Sequence, residues 1–220
     1  MRRNTKAFMV FSILGLPVLV FLFLKGCGTN EFKLPVYFPY DSVLVDGKYE
    51  ITDAHTIPEF SFVSHTGDSI SLSDIKGKIT VADFFFTRCS GICPEMTSEL
   101  TRVQENFIDN EDIKIVSFTV DPENDDVEVL ANYAAEYKAD SRKWSFVTGE
   151  KEELYSLARK GFFVTAMEEV DIEDDFIHSE KLILIDKEGR IRGYYTGTDR
   201  EDVDRLITEI NLLLHEYNKK

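Results

Sequence analysis

The chain has 220 residues, 43% of them apolar and 30% charged, which suits a folded domain and excludes an intrinsically disordered chain. Its formal net charge is −15, and Arg2, Arg3, Lys6 and Lys25 are the only charges among the first 26 residues, so the remainder is more acidic still. Such a surface argues against nucleic acid as a partner, because phosphates select basic faces, and it fits solubility, a cationic partner or a metal ion.

Arg2, Arg3 and Lys6 precede an uncharged apolar run from Ala7 to Leu24, "AFMVFSILGLPVLVFLFL". A run of this length just spans a bilayer, and the basic start stays in the cytoplasm, sending everything after Lys25 across. The run is long for a signal-peptide core, which favours a retained anchor. "LKGC" closes it, with Leu24, Gly26 and Cys27 placed as in a bacterial lipoprotein processing site, although Lys25 is unusual there. A retained helix or a lipidated Cys27 would each tether the domain by its N-terminus outside the cytoplasm. The expected organisation is an anchor or lipoprotein signal over 1–27, a linker and N-terminal extension over 28–54, and one folded domain over 55–220.

"VDGKYEIT" has a turn and short strand character, and "IPEFSFVSHTGDSISLSDIKGK" predicts two short strands around the "HTGD" turn, with a second turn at Gly77. "ITVADFFFT" (79–87) is a nearly continuous apolar run, as in a strand buried on both faces. Met96, Leu100, Val103 and Phe107 mark one face of a helix, and Pro94 fits its first turn. "DIKIVSFTV" (112–120) is the next strand, and "DPENDD" breaks it and offers cap residues. Leu130, Tyr133, Ala134 and Tyr137 mark a second helix, "KWSFVTG" a strand, and Leu154, Leu157 and Ala158 a third helix. "SEKLILIDKEGRIRGYYTG" reads as two strands joined by a turn, followed by a helix through Val203, Leu206, Ile207, Ile210, Leu213 and Leu214 that a Thr198/Glu201 capping box opens. Strands linked through helices run parallel and the late hairpin adds antiparallel strands, so the fold class is α/β with a mixed central sheet flanked by helices.

Cys89 and Cys93, in "FFFTRCSGICPEM", are the domain's only cysteines and sit where the strand meets the helix. Such a pair in a βαβ unit reads as thioredoxin-like. The loop between them is too short for a stapling disulfide to gain much chain entropy. The helix N-terminus, with its free N–H groups, should lower the pKa of Cys93 just before it, with Cys89 sharing the effect. Three intervening residues let the sulfurs either close a disulfide or open toward one soft ion such as Cu(I). A third ligand would be histidine. His55, His65 and His215 read as solvated, whereas His178, between the acidic stretch "EEVDIEDDF" and the strand "KLILID", can be aimed at a neighbouring strand end. The acidic stretch itself reads as a solvated loop or a cation-attracting patch.

"FFFTRCSGICPEM", "FTVDPENDD" and "FIHSEKLILIDKEGRIRGYY", in this order and at these separations, resemble the Sco/SenC family over about residues 55 to 215. The resemblance implies a thioredoxin-like fold, a membrane tether and a domain on the periplasmic face of a bacterial cell membrane. It also implies copper, as Cu(I) or Cu(II), held by Cys89, Cys93 and His178. The implied role is assembly of the dinuclear copper centre of cytochrome c oxidase, with the copper-site subunit of that enzyme or another copper protein as partner. Two positions depart from the family pattern: Ile177 stands where an acidic residue usually precedes the histidine, and Ser90 where proline often follows the first cysteine. Asp121 matches an acidic family position and reads equally as a cap or turn residue. The alternative is a membrane-tethered thiol–disulfide oxidoreductase in which Cys89 attacks a partner disulfide and Cys93 resolves it, leaving His178 dispensable. A peroxide-reducing thiol enzyme on this fold would need an activating arginine, for which Arg88 is adjacent.

Overall fold

The computed structural model describes residues 13–23, 33–38, 41–45, 48–164 and 179–219. They belong to two units, one up to Lys33 and one from Leu34 onward. In the first, residues 13–23 of the apolar run are helical (α1). Among the described residues no helix is long and apolar enough to cross a membrane. Cys27 lies outside the described residues, as do His178, Ile177 and the acidic stretch before them.

The second unit opens with a hairpin, β1 (Asp41–Val45) and β2 (Lys48–Thr52). β3 (Ser61–Ser64) and β4 (Ser69–Ser71) form the expected pair around "HTGD", where Gly67 takes a φ of +85°. A four-residue helix, α2 (Leu72–Ile75), follows, with a reciprocal Ser71/Asp74 capping box. Periodicity does not reveal so short an element, though S-x-x-D is its capping signature. β5 (Ile79–Phe85), α3 (Ile92–Asn106), β6 (Ile113–Thr119), α4 (Val127–Glu136) and β7 (Trp144–Thr148) then alternate as expected. The third helix is α5 (Lys151–Ser156), which widens into a π-turn over Leu157–Gly161. β8 (Lys181–Ile185), β9 (Ile191–Thr196) and α6 (Arg200–Asn218) complete the unit.

The larger sheet has the order β4-β3-β7-β6-β5-β8-β9. β5/β6 and β6/β7 are parallel, each pair joined through a helix, and the remaining pairs are antiparallel. Every residue of β5 is buried because it faces two cores. Ile79, Val81 and Phe85 meet Met96, Leu100 and Leu206 from α3 and α6 on one side. Ala82 and Phe84 meet Leu154, Leu157 and Leu72 on the other. Met96, Leu100 and Val103 are fully buried, each contributing roughly 1.5–3 kcal/mol of transfer free energy.

Three local expectations are corrected. Asp199, not Thr198, caps α6 by accepting from Glu201 N–H, and the Thr198 hydroxyl donates instead to Glu180. His55 is buried rather than solvated: its Nε2–H donates to the carbonyl of Gly161 at 2.9 Å, and its ring packs on Phe163. His65 is half-buried and accepts from Phe146 N–H at 3.2 Å, and desolvation lowers its pKa. His215 is exposed, as expected.

Candidate functional site

β5 delivers the chain to the carboxyl end of the parallel strands, where crevices form in open α/β sheets. Thr87 and Arg88 follow, then Cys89, whose N–H donates to Phe86 O at 3.2 Å. Gly91 is the N-cap of α3, so the helix begins at Ile92 and Cys93 and Pro94 both lie in its first turn. Cys93 is therefore inside the helix, not before it. Its side chain is 4% exposed and belongs to the core with Phe85 and Met96, while Cys89 is partly exposed. Both are free thiols.

This one-residue difference reverses the expected electrostatics. Burial alone would raise the pKa of Cys89, but its sulfur is hydrogen-bonded by the Cys93 thiol and by the backbone N–H groups of Cys93, Gly91 and Ile92, and the balance lowers it. These are the unpaired donors of a helix start, which stabilise an anion. Cys93 is pushed up to about 12, first by burial and then because its proton is engaged by Cys89. The pair is thus one activated sulfur at the surface and one protonated sulfur beneath it.

Asp83, buried on β5 and near enough for its charge to act on Cys93, was passed over by the sequence reading although an acid in the apolar run "ITVADFFFT" signals a buried polar group. Burial raises its pKa to about 7, against a hydrogen bond donated by Ser117 at 2.5 Å. Ser117 in turn accepts from Trp144 Nε1–H at 2.8 Å. Asp121 is no helix cap: it receives Arg88 Nη2 at 2.6 Å, while its own carbonyl closes the turn to Asn124 and Asp125. Arg88 therefore directs its guanidinium at a carboxylate. Asp126 caps α4 through Val129 N–H.

Among the described residues no three histidine, cysteine or carboxylate side chains converge as a metal site. The two thiols supply a soft pair of donors, suited to Cu(I). Strand register sets where β8 begins relative to the cysteine loop. β8 is antiparallel to β5, with Ala82 opposite Ile183, so Lys181, the first residue of β8, lies where β5 finishes. Gly197, bonded to Glu180 O, would place a Cβ 3.0 Å from Met96 Cγ, one helical turn beyond Cys93.

A profile of the SCO1/SenC family matches residues 49–215. The SCO1 protein homolog of Bacillus subtilis (strain 168) is 33% identical over 194 residues, covering 87% of this chain and 91% of that protein. Among solved structures, BsSco, described as having a disulfide switch and belonging to the Sco family of cytochrome c oxidase assembly proteins, is 33% identical. The likeness covers 72% of this chain and 93% of BsSco with a TM-score of 0.61. Arabidopsis thaliana ScoI with copper bound is 26% identical with a TM-score of 0.56, covering 72% of this chain and 98% of that one. With a family profile spanning most of its length, these neighbours and a thioredoxin-like mixed sheet, the chain belongs to the SCO1/SenC family.

Proposed function

We propose that this chain is a copper-binding metallochaperone that assists assembly of the dinuclear copper centre of cytochrome c oxidase. The observation that carries the reading is the pair of free thiols at the start of α3, one of them activated, in a chain of this family. Copper is cargo here. Cys89 and Cys93 would hold Cu(I) as thiolates, and coordination would displace the proton that burial otherwise keeps on Cys93. His178 would supply a neutral imidazole. Its place in the chain supports this role: Ser179 follows it immediately, and β8 begins at the cysteine end of the sheet. Transfer would proceed by exchange of these thiolates for those of the receiving copper protein, the copper-site subunit of the oxidase. The apolar run before Cys27 would tether the domain to the bacterial cell membrane on its periplasmic face.

Copper content of the full chain in detergent tests this. Wild type should retain Cu(I) stoichiometrically, and Cys89→Ser with Cys93→Ser should retain none. Undiminished copper in that double variant rejects the proposal.

The asymmetry of the pair favours a second reading, a thiol–disulfide oxidoreductase, because a partly exposed activated sulfur beside a buried one matches attacking and resolving roles. His178→Ala separates the two. It should weaken copper binding and spare thiol exchange, and the opposite outcome reverses the assignment.

A further inference from the structure

We propose that Asp125 and Asp121 are positioning residues that hold the cysteine loop in its working geometry. The proposal rests on Cys89 and Cys93 being the working pair, and it concerns residues that touch neither sulfur. Asp125 is fully buried, between the ends of β5 and β6. Its Oδ2 accepts from Thr87 N–H at 3.1 Å and from the Thr119 hydroxyl at 2.5 Å, and its Oδ1 accepts from the Thr87 hydroxyl at 2.5 Å. Thr119 Oγ1 also accepts from Asp121 N–H at 3.0 Å. Asp121, 3% exposed, receives Arg88 Nη2 at 2.6 Å and Nε at 3.2 Å on one oxygen and Asn124 Nδ2 at 2.8 Å on the other. Thr87 and Arg88 are the two residues directly before Cys89, and each is held by its own buried carboxylate.

Other requirements of the segment are met without these carboxylates. Asp126 caps α4, and the backbone carbonyl of Asp121 closes the turn. A buried carboxylate is a costly way to fill space, whereas charge-assisted hydrogen bonds fix direction as well as distance. Their effect falls on the backbone entering the C-x-x-x-C loop. Two sulfurs that must close on each other, or on one ion, do so in proportion to their effective concentration, and a loosened loop lowers it. The clamp therefore raises both the tendency to form the disulfide and the affinity for Cu(I).

The test uses the full chain in detergent, reduced and metal-free, equilibrated with glutathione. The reaction converts the protein dithiol and one glutathione disulfide into the protein disulfide and two glutathione thiols. Thr87→Val removes one donor and keeps the β-branched shape, Asp121→Asn removes the charge opposite Arg88, and Asp125→Asn weakens the whole clamp. Each should lower the closure constant about tenfold, the scale of one hydrogen bond to a charged group, with a parallel loss of Cu(I) in competition with a colorimetric chelator. Thr87→Ser, which retains the hydroxyl, should restore the wild-type value. Closure constants within about twofold of wild type for Thr87→Val and Asp121→Asn, whatever their melting temperatures, overturn the proposal. Those two variants decide it if Asp125→Asn does not fold. A wild type that closes its disulfide but takes up no copper defeats the copper function and leaves the clamp standing. Normal copper uptake with unmoved variants defeats only the clamp.

Discussion

The two cysteines differ in chemistry because they differ in depth. Cys89 sits over the free N–H groups at the start of α3 and is lowered, while Cys93 is buried among Phe85 and Met96 and is raised to about 12. In the reduced, metal-free protein near neutral pH, Cys89 should therefore be alkylated by iodoacetamide first and faster than an unperturbed thiol. As pH falls, its rate should persist below the range where a free cysteine loses reactivity, because a lowered pKa keeps the thiolate to lower pH. Cys93 should label only after unfolding. Peptide mapping of singly labelled protein checks this, and predominant label on Cys93 would refute it. The sequence showed that a helix terminus acts on this pair. It assigned the benefit chiefly to Cys93, which was wrong, because the outcome depends on the helix starting at Ile92 rather than after Cys93, a boundary that no periodicity resolves to one residue.

At the scale of elements, adjacent acids in "DPENDD" perform separate tasks. Asp126 turns outward and caps α4, and Asp125 turns inward to Thr87 and Thr119. Asp126→Ala should cost about 1 kcal/mol of stability through the lost cap and leave the thiol–disulfide equilibrium unchanged. Denaturant titration and glutathione equilibration on the same samples check both halves. An unchanged midpoint would mean that the cap contributes nothing. The sequence marked this stretch as a helix start but could not assign its acids, because which one faces inward depends on the long-range approach of β5 to β6. The same limit explains His55. Its neighbours in sequence suggest a turn, and only the fold brings Gly161 and Phe163 against it.

For the whole molecule, the mixed sheet and most of the element order were legible because the helices from α3 onward carry strong periods and the central strand is a continuous apolar run, whereas β1 and the four-residue α2 were not read. The buried acid Asp83 was not singled out, and it ties the site end to overall stability. Its buried carboxyl acts electrostatically on Cys93 and accepts from Ser117, which accepts from the single tryptophan, Trp144. Folding raises its pKa from 3.8 to about 7. Between those values the folded state keeps a proton that the unfolded chain has released, so stability from this group is fully present below about pH 4 and falls as pH rises toward 7. The loss over that window is on the order of 4 kcal/mol, since one pKa unit corresponds to about 1.4 kcal/mol. Asp83→Asn keeps an acceptor for Ser117 and carries no charge to bury. Its stability relative to wild type should therefore climb through pH 4 to 7 and level off above. Urea unfolding of the reduced, metal-free protein, followed by Trp144 fluorescence at a series of pH values, measures the difference directly. Taking the difference between variant and wild type cancels the other carboxylates, which titrate in both proteins. A difference that stays flat across the window would show that Asp83 remains ionised in the folded core. It would then be the opposing hydrogen bond from Ser117, and not burial, that governs this carboxyl.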